Sequence, residues 1–123
     1  MNKVKLDIWN KPCNLKVIFE CYGNQEPTIG QKTRLDTFIA NTKAIDGALT
    51  KVKQICLDDE NMNGSNEVSN IFEYVTPKSI YVKRNDKQDL IVLLCDYKYD
   101  IEHGLAIVFE KGTLKEIVRQ GDI

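Results

Sequence analysis

The chain has 123 residues, 42% of them hydrophobic and 28% charged, a balance typical of one folded domain and not of a disordered chain. Its 17 basic and 18 acidic residues leave a net charge of −1, so overall charge does not favour nucleic acid or an anionic membrane as a partner. Residues 1–123 are therefore expected to form a single domain.

The first residues contain no apolar run like that of a signal peptide, and no segment approaches the roughly 18 apolar residues of a membrane span. A cytoplasmic location is therefore expected. The four cysteines are widely spaced and lack the C-x-x-C pairs of zinc and redox sites. They are expected to be reduced thiols, most of them buried as small apolar residues.

The first half of the chain predicts a hairpin followed by two helices. Apolar and polar residues alternate over residues 3–22, with a turn expected at residues 10–12. Thr28 is expected to cap a helix of about ten residues. The apolar residues from Ile45 to Cys56 recur with the spacing of one helix face and predict a second, longer helix that packs on the core.

The second half of the chain is expected to hold a polar loop, a short helix and four strands. The loop is predicted at 58–66 and the helix at 68–75, with Pro77 ending it. The strands are predicted at 79–83, 90–95, 105–109 and 114–118, the last two joined by a turn at Lys111-Gly112. The run 90–95 is apolar on both faces, which is typical of a central strand.

This order of elements predicts an α+β fold with a largely antiparallel sheet of about six strands, in the order β-β-α-α-(α)-β-β-β-β. The helices are expected to pack on one face of the sheet. The chain contains no G-x-G-x-x-G or P-loop sequence, so nucleotide binding of those two kinds has no support.

Residues 59–64, Asp-Glu-Asn-Met-Asn-Gly, match the opening of an EF-hand calcium loop. The match fails further along, because Asn70 stands at the position of the bidentate glutamate. The early ligand positions also supply only one carboxylate, so a solvated loop rich in asparagine is the favoured interpretation.

The junction from Asp96 to Gly104 brings three carboxylates and the only histidine together after the apolar strand. If this segment is extended, Asp96, Asp100 and Glu102 share a face and, with His103, resemble the ligand types of a divalent-metal site. The favoured interpretation is a tight turn. In that turn, Asp100 and Glu102 accept backbone hydrogen bonds, His103 orders the loop and Gly104 adopts a conformation that other residues resist.

A cysteine nucleophile is a third reading of the same region, with His103 as the only histidine available to act as its base. Cys95 is close in sequence but belongs to the apolar run. Burial there is expected to raise the pKa of the thiol and to exclude a substrate, so this reading is not favoured.

The segment 100–107, Asp-Ile-Glu-His-Gly-Leu-Ala-Ile, resembles the W-D-x-E-H-G-L-G-[IV] signature of a family of uncharacterised small bacterial domains. Members of that family also carry a helical region containing a glutamine and a G-x-L-x-E-like strand, which Gln31 and residues 112–116 match. Two positions depart from the signature, since Tyr99 stands for the tryptophan and Ala106 for the second glycine.

Domains of this kind are similar to immunity proteins encoded beside bacterial polymorphic or contact-dependent toxins, which neutralise a toxin domain by binding it in the cytoplasm. The resemblance implies a non-enzymatic domain whose partner is a protein, a cognate toxin domain, with no cofactor and no metal. The expected contact residues are Asp96, Tyr97, Tyr99, Asp100 and Glu102, beside His103 and Gly104 as structural residues of the turn. The alternative is a small metal-dependent enzyme or metal sensor that uses Asp96, Asp100, Glu102 and His103.

Overall fold

The computed structural model describes residues 3–59, 70–84 and 87–119. Its elements follow the predicted order, so the α+β expectation is confirmed. In chain order they are β1 (Lys3–Ile8), β2 (Lys11–Phe19), α1 (Ile29–Ala40), α2 (Lys43–Asp59), a 3₁₀ turn (Ile71–Glu73), β3 (Val75–Val82), β4 (Leu90–Tyr97), β5 (Leu105–Glu110) and β6 (Thr113–Arg119).

The described strands form one sheet in the sequential order β1-β2-β3-β4-β5-β6. Every neighbouring pair is antiparallel except β2 and β3, which run parallel with Lys16 opposite Ser79. The parallel pair arises because both helices lie in the β2–β3 connection, and a parallel connection needs a long crossover. The sheet is therefore largely antiparallel, as predicted.

The two helices form where the sequence signals place them. Thr28 caps α1 in a capping box: its side chain accepts a hydrogen bond from the Gln31 N–H, and the Gln31 side chain accepts one from the Thr28 N–H. Four side chains spaced three or four residues apart form the buried stripe of α2; they are Ile45, Ala48, Val52 and Cys56. This stripe packs on the sheet, and further apolar side chains of the helix, among them Leu49 and Ile55, are partly buried beside it.

The main core lies between the helices and one face of the sheet. Alternate residues of β4, including Ile91, Leu93 and Cys95, pack in the same cluster as the buried residues of both helices. The intervening residues Leu90 and Val92 point to the other face. In the described part of the chain, both helices lie on one face, as predicted, and no helix is long and apolar enough to cross a membrane.

The first turn differs from the prediction by two residues. Trp9 and Asn10 have φ of 51° and 67°, so they are the two central residues of a tight hairpin turn, and Lys11 already belongs to β2. A tryptophan rarely adopts this backbone conformation. The burial of the Trp9 side chain offsets the cost of this backbone conformation. The ring N–H donates to the Ile45 carbonyl at 2.9 Å, and the ring packs beside Phe72.

The segment before β3 also differs from the prediction. The expected helix at 68–75 is a single 3₁₀ turn over Ile71–Glu73 within the described residues, and β3 begins at Val75. Pro77 lies inside that strand, at a register irregularity where the missing N–H is tolerated. Helix α2 extends into the predicted loop as far as Asp59. Residues 60–69, with most of the EF-hand-like stretch, lie outside the described residues.

Candidate functional site at the β4–β5 junction

The β4–β5 junction is a closed turn and not an extended segment. Its backbone N–H groups donate inward: Asp100 to the Tyr97 carbonyl at 3.2 Å, and Gly104 to the Asp100 carbonyl at 2.8 Å. Gly104 has φ of +64°, the left-handed conformation that favours glycine. Lys98, at the start of the turn, donates its N–H to the Tyr74 carbonyl at 2.8 Å. The turn is therefore fixed at both ends by main-chain hydrogen bonds.

This turn separates the four residues of the metal hypothesis. Asp96 is exposed on β4 and lies 3.7 Å from the ammonium of Lys78, while Glu102 is exposed on the turn. Only Asp100 and His103 meet, with His103 Nδ1 3.0 Å from Asp100 Oδ1. Across residues 3–59, 70–84 and 87–119, no three Asp, Glu, His or Cys side chains are grouped as metal ligands.

Arg119, the last residue of β6, joins the turn to the body of the domain. Its Nε lies 3.1 Å from Asp100 Oδ2, and a terminal guanidinium nitrogen donates to Asp59 Oδ2 at 3.0 Å. The guanidinium also lies over the Tyr97 ring, 4.9 Å from its centroid. These contacts, with the His103 contact to Asp100, are called the Arg119 clamp below. The clamp holds together the end of α2, the end of β6 and the β4–β5 turn.

Tyr97 is a core residue within this arrangement and not part of the surface. It is 2% exposed, and its hydroxyl donates to Asp59 Oδ2 at 2.5 Å. Burial and the hydrogen bond to Asp59 both raise the pKa of the Tyr97 phenol well above its ordinary value. The phenol therefore stays protonated and acts as a fixed donor, which helps to hold the Asp59 carboxylate in place.

Asp100 is held in its charged form. Desolvation raises the pKa of its carboxyl, but hydrogen bonds from the His103 ring and backbone N–H, together with the charge of Arg119, have the larger combined effect. The net pKa is below the ordinary value. Both carboxylate oxygens already have partners, His103 on Oδ1 and Arg119 on Oδ2, so the Asp100 side chain is a structural anchor of the turn.

The outer surface of the junction combines aromatic rings and one exposed aliphatic side chain with charged and polar side chains. Tyr99 lies between the rings of Tyr74 and Tyr97, at centroid distances of 5.9 and 5.7 Å. Beside these rings is a shallow groove of about 310 Å³, lined among others by Tyr74, Lys98 and Ile101. Ile101 is 86% exposed, which is unusual for a large aliphatic side chain on a turn with fixed ends.

The thiol hypothesis finds no support in this geometry. Cys95 is fully buried in the main core, whereas His103 is exposed on the turn. Burial raises the pKa of the Cys95 thiol far above its ordinary value, so the nucleophilic thiolate is not accessible. All four cysteines lie among the described residues, and none of them forms a disulfide.

Residues 2–123 match a family model described as "Domain of unknown function (DUF6985)". The chain belongs to the DUF6985 family. No curated protein and no solved structure matches it. The match establishes a family of domains of unknown function, and its description names neither immunity proteins nor the W-D-x-E-H-G-L-G signature.

Sequence reasoning missed two members of the clamp in this DUF6985 domain, Asp59 and Arg119. Neither is near the junction in sequence. Asp59 opens the EF-hand-like stretch, but that partial match does not indicate a contact with the junction, and no motif marks Arg119. One signal was available for Arg119. The predicted turn at Lys111-Gly112 makes β5 and β6 a hairpin, and pairing outward from that turn brings Arg119 to the start of β5, next to the junction. The structure pairs it with Leu105, after a one-residue register shift in the hairpin. For Asp59 there was no comparable signal, because its position depends on how α2 packs.

A second polar cluster lies at the opposite end of the DUF6985 sheet, around Glu20. The Arg84 N–H donates to Glu20 Oε1 at 2.8 Å, and the Tyr81 hydroxyl donates to Oε2 at 3.2 Å. The Lys83 ammonium lies 3.5 Å from Oε2. The hydrogen bond from the Arg84 backbone is the main reason that the pKa of Glu20 is below its ordinary value. Desolvation raises the pKa, and the charge of Lys83 lowers it further.

This cluster predicts how stability depends on pH. Because the folded state lowers the pKa of Glu20 below the ordinary 4.5, the carboxylate stabilises the fold above that pH, and the contribution is lost as the pH falls through the folded value. We expect Glu20→Gln to be less stable than the wild type at about pH 6 and the difference to narrow towards about pH 3. Urea unfolding of both proteins across this pH range measures the difference in their free energies of unfolding. A difference that stays constant with pH would contradict the assignment.

Proposed function

We propose that this DUF6985 domain is a non-enzymatic protein-binding domain whose contact surface is the exposed side of the β4–β5 junction. The observation that carries the proposal is Ile101, an aliphatic side chain that is 86% exposed at the tip of a turn with fixed ends. Exposed apolar side chains of this kind are suited to fill a pocket on a partner and to act as an anchor of binding.

The Arg119 clamp supports this use of the turn. A loop that becomes ordered only on binding loses conformational entropy and binds more weakly. Here Asp100 is bound to Arg119 and His103, and Gly104 closes the turn onto the Asp100 carbonyl. Ile101 and Glu102 are therefore presented on a turn that is already ordered, and little further entropy is lost when a partner binds.

The alternative, a metal-dependent enzyme or sensor, needs Asp100 as a ligand beside Asp96, Glu102 and His103. Its carboxylate is already neutralised by Arg119, and Asp96 and Glu102 lie apart from it as exposed side chains. A metal at this place would have to break the clamp and reorder the turn. The observed contacts favour binding over metal chemistry.

We further propose that the partner is a cognate bacterial toxin domain, bound directly in the cytoplasm and neutralised by that contact. The support is the resemblance of residues 100–107 to the signature described above, together with two exposed acidic side chains at the junction, Asp96 and Glu102. Acidic side chains around an apolar anchor complement a basic surface and speed its encounter with the domain.

The test uses the protein encoded immediately upstream of this chain's gene. Its C-terminal domain is expressed alone and together with the full chain, and both growth and co-purification are measured. The proposal predicts that the C-terminal domain alone stops growth, that co-expression restores growth, and that the two proteins purify together. A C-terminal domain that is harmless or that does not bind the chain would contradict the toxin proposal.

A further inference from the structure

A cavity of about 260 Å³ lies at the opposite end of β4 from the β4–β5 junction. It opens between helix α1, the residue that precedes β4 (Asp89) and the β5–β6 turn at Lys111 and Gly112. Domain interiors normally contain few voids larger than one water molecule, which occupies about 30 Å³. This space is several times larger, so it is able to hold a small molecule.

The floor of this cavity is apolar. The rings of Phe38 on α1 and Phe109 on β5 pack at a centroid distance of 5.3 Å, and Ile91 is the β4 residue paired with Phe109. All three side chains belong to the main core, which holds them in place beneath the open space. A preformed apolar floor suits the aromatic or aliphatic body of a ligand, because little order has to be gained on binding.

A nearly buried positive charge lines the cavity. The Arg34 side chain is only 9% exposed, and its Nε lies 3.2 Å from Asp89 Oδ1. A terminal guanidinium nitrogen of Arg34 also donates to the Lys83 carbonyl. These contacts tie α1 to the chain between β3 and β4 and fix the guanidinium beside the cavity. A fixed charge next to an apolar floor acts on a ligand charge more strongly than it would in water.

The rim of the cavity adds a second positive charge and several hydrogen-bonding groups. Lys111 is exposed at the β5–β6 turn, and no acidic side chain in the described part of the chain forms an ion pair with it. Thr33, Thr37 and Asn41 follow one another at intervals of four residues and therefore share one side of α1. The Asn41 Oδ1 accepts the Lys43 N–H at 3.2 Å, so its NH₂ group is the part of this side chain that is able to donate to a ligand.

We propose that this cavity binds a small organic acid, with its apolar body on the floor and its carboxylate towards Lys111 at the rim. Among the described lining residues, Arg34 and Lys111 are positive and Asp89 is negative, which leaves one net positive charge. One carboxylate complements that charge, whereas a cationic ligand would be repelled by it. The cavity and the β4–β5 junction share no residue, so this proposal and the protein-binding proposal stand or fall separately.

Titration of benzoate into the isotope-labelled full chain, followed by the amide signals in two-dimensional NMR, tests the proposal. Benzoate joins one carboxylate to an aromatic ring. We expect saturable shifts confined to residues 33–41, 89–91 and 109–112. The dissociation constant should be on the order of 1 mM, as is usual for so small a ligand. Benzamide has nearly the same shape without the charge and should bind at least about fivefold more weakly.

Two variants at exposed positions separate the effects of space and charge, so that folding is not at risk. Thr37→Phe places a ring in the cavity and should abolish the benzoate shifts, whereas Thr50→Phe, the same change on the exposed side of α2, should leave them unchanged. Lys111→Gln should weaken benzoate binding about threefold to tenfold, and Lys115→Gln, outside the cavity, is its control. No saturable shifts, equal affinity for benzoate and benzamide, or benzoate binding that survives Thr37→Phe would overturn the proposal.

Discussion

Replacing Gln31 with leucine should destabilise the domain by about 2–4 kcal/mol, because the change removes three hydrogen bonds to backbone groups that are buried or partly buried. Gln31 is the one polar side chain that is fully buried in the described part of the chain. Its Oε1 accepts the Thr28 N–H at 2.8 Å, and its Nε2 donates to the Glu20 and Val82 carbonyls at 3.0 and 3.2 Å. Leucine has a similar volume, so little of the loss comes from a cavity.

Gln31 has this large effect because of where it stands. In the described sheet, only β2 and β3 run parallel. Glu20 directly follows β2, Val82 is the last residue of β3, and the Glu20 N–H donates to the Val82 carbonyl at 2.9 Å. The amide of Gln31 thus ties the start of α1 to the carboxyl ends of both strands, where the crossover leaves β2. Urea unfolding of Gln31→Leu measures the loss.

A matched control is Gln54→Leu, which replaces an exposed glutamine on α2. Its amide only donates to the neighbouring Asp58 side chain, so a change below about 0.5 kcal/mol is expected. A value for Gln31→Leu within the same range would show that the buried amide is not needed at the crossover.

Replacing Ile101 with aspartate should weaken binding of the upstream-encoded C-terminal domain about 100-fold, which corresponds to the loss of one anchor residue. The aspartate places a charge where an aliphatic side chain is proposed to enter the partner, next to the exposed acidic side chain of Glu102. Because Ile101 is 86% exposed, the variant should fold as stably as the wild type. Isothermal titration calorimetry with the purified C-terminal domain gives both affinities.

Ile29→Asp is the control for this measurement. Ile29 is 84% exposed, nearly the same fraction as Ile101, but it begins α1 and is not part of the β4–β5 junction. An acidic residue is also favourable in the first turn of a helix, so the fold should tolerate the change. Equal losses of affinity in both variants, or none in Ile101→Asp, would place the contact surface elsewhere.

Most of the fold followed from local patterns. The period of two over residues 3–22, the helical stripe from Ile45 to Cys56 and the apolar run of β4 each arise from one element packing on the core. The parallel pairing of β2 and β3 did not follow from any local pattern, because it depends on how the whole helical crossover returns the chain to the sheet.

The position of Tyr97 shows where sequence reasoning stopped too early. The apolar run predicts a strand that ends at Cys95, whereas β4 continues to Tyr97, with Asp96 exposed on the sheet face that points away from the helices. Extending the alternation by two residues places Tyr97 on the same face as Leu93 and Cys95, in the core. The clamp partner Asp59 lies 38 residues from Tyr97, and no rule of spacing connects them.

The most direct test of the account is amide hydrogen exchange of the full chain, free and bound to the upstream-encoded C-terminal domain. Residues 98–104 should exchange slowly enough in the free protein to show a closed turn, and they should gain further protection in the complex. Protection confined to other surfaces, with residues 98–104 unchanged on binding, would contradict the proposal that the β4–β5 junction is the contact surface.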